Sequence, residues 1–252
     1  MSDTRLRLPK APIVEAVLDI ECEMPSKVDL EGLEKLASQG LGEEYPKHEK
    51  QFVQEHTFQA TAAETPKLSI RRNTQALRFR QQDGKQLVQV RAQGFSFNRL
   101  APYSSLDDYL PEIERTWRVF VGVAAPIQVR AVRLRYINRI PVPLGSGPVD
   151  LADYFSMGPG IPEEEGLTFV NFLNRYSLVE MKTGHQVNII LAAEGIGEQS
   201  LPVILDIEAV GELAVEPTDW QAILVKIQAL RELKNRIFLN TLTPKCLTLF
   251  QS

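Results

Sequence analysis

From Val14 to Glu23 the chain alternates with a period of two. Val14, Ala16, Leu18, Ile20 and Cys22 form one row, and Glu15, Asp19, Glu21 and Glu23 fall in the other. That alternation predicts a half-buried strand. Ala11-Pro12-Ile13 opens this run, and Ala125-Pro126-Ile127 opens a second one that reaches Ile140. Some way after each opening comes a matched tripeptide, Val28-Asp29-Leu30 and Val149-Asp150-Leu151. In both, the aspartate suits the head of a helix, where its carboxylate can accept from an orphan amide. The first helix would bury Leu30, Leu33, Leu36 and Ala37, while the second, around Leu151 to Met157, is short.

Strand-like runs follow in each half. The first half has residues 51–61, 67–81 and 85–100, with the hairpin signal Asp83-Gly84 between the last two. The second half has 172–182, 185–193 and 201–214, with turns at Thr183-Gly184 and Gly195-Ile196-Gly197. Each half closes on a helical pattern. Ser105 opens the first, with the stripe Leu106, Tyr109, Leu110, Ile113, Trp117 and Phe120. Thr218 opens the last, with Trp220, Ile223, Leu224, Ile227, Leu230 and Ile237, and Pro244 follows it.

Strand, helix, three strands, long helix: the same order twice predicts an α+β protein built by internal duplication, with halves 1–124 and 125–252 packed as one structural unit. The expected architecture is two antiparallel sheets, or one continuous curved sheet, with the long helices on one face. By analogy that is the duplicated saddle of TATA-binding-protein-like domains. A helix-grip fold, one sheet wrapped round one helix, is the alternative. Fold analogy brings no function.

Charge changes the picture. The 252 residues carry 28 Lys plus Arg and 32 Asp plus Glu, a formal net charge of −4, which argues against a generically basic nucleic-acid binder. The charge is segregated, however, with +9 between residues 67 and 139 and −10 between 140 and 216. Arg78 and Arg80 alternate with Leu77 and Phe79, and Arg133, Arg135 and Arg139 share one strand face. With Arg71, Arg91 and Arg99 in neighbouring runs, such a face could meet phosphate oxygens, and Phe95, Phe97 and Tyr136 could stack on bases. If the two opening strands pair, the acidic row of Glu15, Asp19, Glu21 and Glu23 lies beside those arginines instead and neutralises them. That internal ladder is the favoured expectation.

Catalytic signatures are scarce. His48, His56 and His185 are scattered, and no His-Glu-x-x-His, Cys-x-x-Cys or Gly-x-Ser-x-Gly occurs. Gly145-Ser146-Gly147, Gly158-Pro159-Gly160 and Glu163-Glu164-Glu165 read as loop punctuation, and Asp107 and Asp108 as helix-start carboxylates. Cys22 and Cys246 are too few for a disulfide framework or a four-ligand metal site, and Cys22 falls in the core row. No apolar stretch approaches the ~18 residues of a membrane span, and the start lacks a secretory segment. The expectation is a cytoplasmic protein with no cofactor and no metal, more a binder than an enzyme.

Three passages carry a resemblance: Pro12-Ile13-Val14-Glu15-Ala16-Val17, Gln93 to Leu100 with Tyr103, and Leu134-Arg135-Tyr136-Ile137-Asn138-Arg139-Ile140. With Lys234 to Phe238 and Thr243 to Cys246 near the end, the chain resembles a sporadically distributed family of uncharacterised bacterial proteins. The resemblance implies no activity, cofactor or catalytic residue. Its scattered occurrence implies a defence or mobile-element neighbourhood. The expected role is an accessory or partner-recognition protein with a protein partner. Nucleic-acid binding through Arg78, Arg80, Arg133, Arg135 and Arg139 is the alternative, and small-molecule binding in a helix-grip cavity is third. Asn138 and Tyr136 are candidate structural or ligand-receiving polar groups on the side opposite those arginines. Oligomeric state is not legible.

Overall fold

In the computed structural model, Ile13–Glu23 (β1) and Gln128–Pro143 (β6) lie side by side in the middle of one antiparallel nine-stranded sheet. The structure describes residues 8–25, 30–61, 64–145, 149–158, 171–193, 195, 197 and 199–251, with backbone alone for those between 54 and 73. The first half adds a helix, Leu30–Leu41 (α1), and the strands Lys47–Thr61 (β2), Glu64–Arg80 (β3), Gln86–Arg91 (β4) and Gly94–Leu100 (β5). It closes on Leu106–Ala124 (α2). The second half adds a 3-10 turn, Leu151–Asp153, and Phe172–Val179 (β7), Gln186–Ala193 (β8) and Ser200–Val215 (β9). Trp220–Thr241 (α3) and the short Pro244–Thr248 (α4) end the chain.

Spatial order is β2-β3-β4-β5-β1-β6-β9-β8-β7. Outward from the β1–β6 seam, each half places its last strand first, so the two halves mirror one another in topology. Leu18 stands opposite Leu134, Val17 opposite Arg135 and Asp19 opposite Arg133. The opening strands therefore do pair, which is the condition on which the internal charge ladder rests. Two long helices share the sheet, each over its own half, unlike the helix-grip arrangement of one sheet round one helix.

The expected third strand of the first half, 85–100, is two strands. Ala92 and Gln93 turn the chain, and Gly94 enters β5 at φ 143°. A Cβ at Gly94 would lie 2.1 Å from the Ile20 carbonyl oxygen, so β5 can close on β1 only with glycine there. Helix starts are also corrected in part. Ser105 caps α2 as expected, accepting from the amide of Asp107. The last helix is capped by Asp219, not Thr218, because the Asp219 carboxylate reaches the Ala222 amide. Asp150 caps only the 3-10 turn. Asp29 and Glu163 to Glu165 lie outside the described residues.

The period-two row of every inner strand faces the helices. Leu18, Ile20, Val88, Phe95, Val132, Leu134, Leu205 and Ile207 are buried there with Ile113, Trp117 and Phe120 of α2 and Ile223, Ile227 and Leu230 of α3. Burying each such side chain stabilises the fold by roughly 1.5–3 kcal/mol. Phe95 meets Trp117 edge-on with ring centroids 5.6 Å apart. The Trp117 indole N–H donates to the Pro217 carbonyl at 3.0 Å, tying α2 to the entry of α3. Among the described residues, no helix is long and apolar enough to cross a membrane.

Candidate functional site

The other row of each strand forms a face that no described helix covers. At a strand spacing of about 4.8 Å, nine strands make it nearly 40 Å wide. Its polar side chains are bonded to one another across the strands. Arg78 Nε donates to Gln89 Oε1 at 3.3 Å, Gln89 Nε2 to Asn98 Oδ1 at 3.1 Å, and Asn98 Nδ2 to Glu15 Oε1 at 2.8 Å. That chain crosses β3, β4, β5 and β1. Asp19 accepts from Ser96 and pairs with Arg91 at 3.0 Å. On the far flank Ser177 donates to Asn188, and Asn188 to Glu208, each at 2.9 Å.

The five arginines of the expected anion or partner face all lie on this surface, with different fates. Arg133 pairs with Glu21 across the seam, beside a further pair of Arg130 with Glu23. Arg135 turns away from β1 and makes a two-pronged contact with Asp206 of β9, Nε to Oδ1 at 2.9 Å and Nη2 to Oδ2 at 2.6 Å. That bond holds the Arg135 guanidinium above its ordinary basicity. Arg78 and Arg80 share Glu49, at 3.6 and 3.3 Å. Arg139 is exposed, with no carboxylate in ion-pair range among the described residues. The ladder is real for Arg133, relocated for Arg135 and missing for Arg139.

The aromatics proposed to stack on bases are not on this face. Phe95, Phe97 and Tyr136 sit on the helix side, at 0%, 3% and 2% exposure. The open face carries aliphatic side chains instead: Val17, Ile137, Ile204, Val210 and Ile190, all half-buried among the polar chains.

Beneath the face, on the helix side, lies a buried polar cluster. Tyr103 and Tyr136 share a hydroxyl–hydroxyl hydrogen bond of 2.7 Å, and burial pushes both phenols up, Tyr136 to about 12. Lys234 of α3 sets its ammonium over the Tyr136 ring, and Arg231 grips Asp107 at 2.7 and 3.0 Å. Asn138 is 1% exposed and donates to the carbonyls of Tyr136 and Leu205 at 3.3 and 2.9 Å, so it pins β6 to β9. A neighbouring, mostly apolar pocket that Tyr103, Tyr109, Tyr136 and Arg99 help to line holds only about 10 Å³, too little for a ligand.

Cys22 and Cys246 are buried thiols pushed up to about 12 by burial, far from the reactive range. Lys245, next to Cys246 in the chain, is held by Asp153 at 2.6 Å. His48 stacks on Phe79, and no group of three metal-ligating side chains converges among the described residues. Compared with known proteins, the chain matches no family model and no curated sequence.

Proposed function

We propose that the chain is a non-catalytic partner-recognition protein that binds another protein through its uncovered sheet face. One observation carries the reading: most of the charges across the middle of that face are already paired within it, Arg139 being the exception there, which leaves a broad mixed surface of aliphatic side chains and fixed hydrogen-bonding groups. Such a surface suits a protein, whose own face is mixed, better than a phosphate backbone, which rewards unpaired cations. Fixed side chains also lose little rotamer freedom on binding. Residence beside an effector in a defence or mobile-element neighbourhood of a bacterium belongs to the same proposal and rests on the resemblance alone. We read the two halves as copies of one ancestral unit.

A photo-cross-linking residue in place of the exposed Arg139 tests this in an extract of the source cells. The expected product is a discrete protein adduct, absent when the same residue replaces Leu36 on the outside of α1. Adducts with nucleic acid, or none, overturn it. Nucleic acid has one observation in its favour: among the described residues, Glu49 is the one carboxylate paired with the cluster of Lys47, Arg78 and Arg80 at one corner of the face. Steeply salt-sensitive retention on heparin, lost on changing Arg78 and Arg80 to glutamate, would establish it.

A further inference from the structure

We propose that the flank of α3 turned away from α2 is a docking groove for an amphipathic helix of a partner protein, occupying the place that α1 fills in the first half. The site is separate from the open sheet face. Ile113, Trp117, Phe120 and Ala124, the buried row of α2, recur at one constant sequence offset as Ile223, Ile227, Leu230 and Lys234, the buried row of α3. The same offset carries Glu112, Arg115 and Val119 onto Ala222, Val225 and Ala229.

In the first half that stripe is occupied. Arg115 donates to the Gly40 carbonyl at 3.5 Å and pairs with Glu44 at 3.3 Å, and Glu112 accepts from the Tyr45 hydroxyl at 2.7 Å. Gly40 lies so close to Val119 that a Cβ there would come within 2.5 Å of Cγ1. In the second half the stripe lines an open groove of about 490 Å³ with Leu213 and Lys226, and Val225 is 60% exposed. The 3-10 turn that follows β6, as α1 follows β1, packs instead at the far end of α3, where the Ser156 amide donates to the Thr241 carbonyl, and on α4, where Asp153 pairs with Lys245. Among the described residues, no helix lies against this stripe.

The groove specifies its occupant. Where α2 presents Glu112 and Arg115, α3 presents alanine and valine, so the match is an apolar stripe at i, i+3, i+7 spacing. Ala222 and Ala229 are small enough to let a second backbone approach as closely as Gly40 approaches Val119. Lys226 and Asp219 are the charged groups lining the groove; the Asp219 carboxylate is engaged by the Ala222 amide at the head of α3, which leaves Lys226 as the charge open to an incoming partner. The Lys226 ammonium lies 3.1 Å from His185 Nε2, and no carboxylate among the described residues pairs with it. Glu180, the other charged group facing His185, is engaged by Arg236 and Thr183. A carboxylate on the incoming helix completes Lys226.

The test places a photo-cross-linker at Val225 of the full chain, in an extract of the source cells, and sequences the attached segment. A synthetic peptide of that segment is then titrated into the purified protein. Expected are a segment of a different protein and a gain of helical circular dichroism on binding. Val225→Glu, at an exposed position that the fold does not use, should weaken binding about tenfold or more. Lys226→Glu should weaken it too, and exchanging the peptide's carboxylate for lysine should restore it. Cross-linking to residues 159–170 of the same chain, to a second copy or to nothing overturns the proposal. So does a peptide that stays unstructured or is indifferent to both substitutions. Because the Arg139 probe reports only on the open face, either reading can fail without the other.

Discussion

The ammonium of Lys234 lies 3.7 Å from the centre of the Tyr136 ring, in a position that is only 8% exposed. Burial, and after it the Arg231 guanidinium, hold this lysine down to about 7, against an ordinary value of 10.5. The unfolded chain therefore binds one proton more than the folded chain between about pH 7 and 10.5, and folding stability rises with pH across that window. Below pH 7 the cost of the buried cation is borne in full. Lys234→Met should stabilise the protein at pH 6 by about 2–4 kcal/mol, the loss of the ring contact being set against the relief of burial. The gain should shrink steadily toward pH 10. Urea denaturation of both proteins at several pH values measures it, and a pH-independent difference would refute the account.

The two kinds of ion pair on the open face should behave differently. The Asp206 side chain is 8% exposed, whereas Glu21 is 39% exposed and its partner Arg133 35%. Asp206→Ala should cost about 1–2 kcal/mol, discounted because Arg135 itself is 44% exposed. Glu21→Ala should cost less than about 0.5 kcal/mol and less still in 1 M salt. Equilibrium unfolding at two salt concentrations separates them.

Gly94 and Gly122 form a matched pair of substitutions. Alanine at Gly94 meets the Ile20 carbonyl and a φ of 143°, and should destabilise by about 2–4 kcal/mol. Alanine at Gly122, in α2 with nothing within 4 Å of its Cβ, should stabilise by about 0.5–1 kcal/mol. Thermal unfolding should move in opposite directions for the two.

The contact of α1 with α2 should show rescue. Gly40→Ala forces its methyl group into Val119 and should cost about 1–3 kcal/mol. Adding Val119→Ala should recover most of that loss, giving a favourable coupling in a double-mutant cycle. Additive losses would mean that the helices do not meet at this point in solution.

Period-two alternation made most of the architecture readable, because strands buried on one face alternate. Val14 to Cys22 declared its inward row, and the acidic positions between declared the other. The break at Ala92-Gln93 leaves no mark in the pattern, because Lys85 to Leu100 reads as one run and the turn contains only ordinary residues before Gly94. The pairing of Arg135 with Asp206 depends on the β6–β9 register, which no local pattern reveals. Lysine is an unexpected residue at position 234, because Ile223, Ile227 and Leu230 predict a buried position one turn further on. The helix groove required comparing α2 with α3 residue by residue once their neighbours were known.

Because β1 and β6 hydrogen-bond to each other and also to β5 and β9, no flexible hinge separates the two halves. The protein is in effect a stiff plate. A molecule that docked on it would have to conform to a preset outline, so under the proposed reading the adjustment on association would fall to that molecule, and selectivity would come from fit instead of from closure.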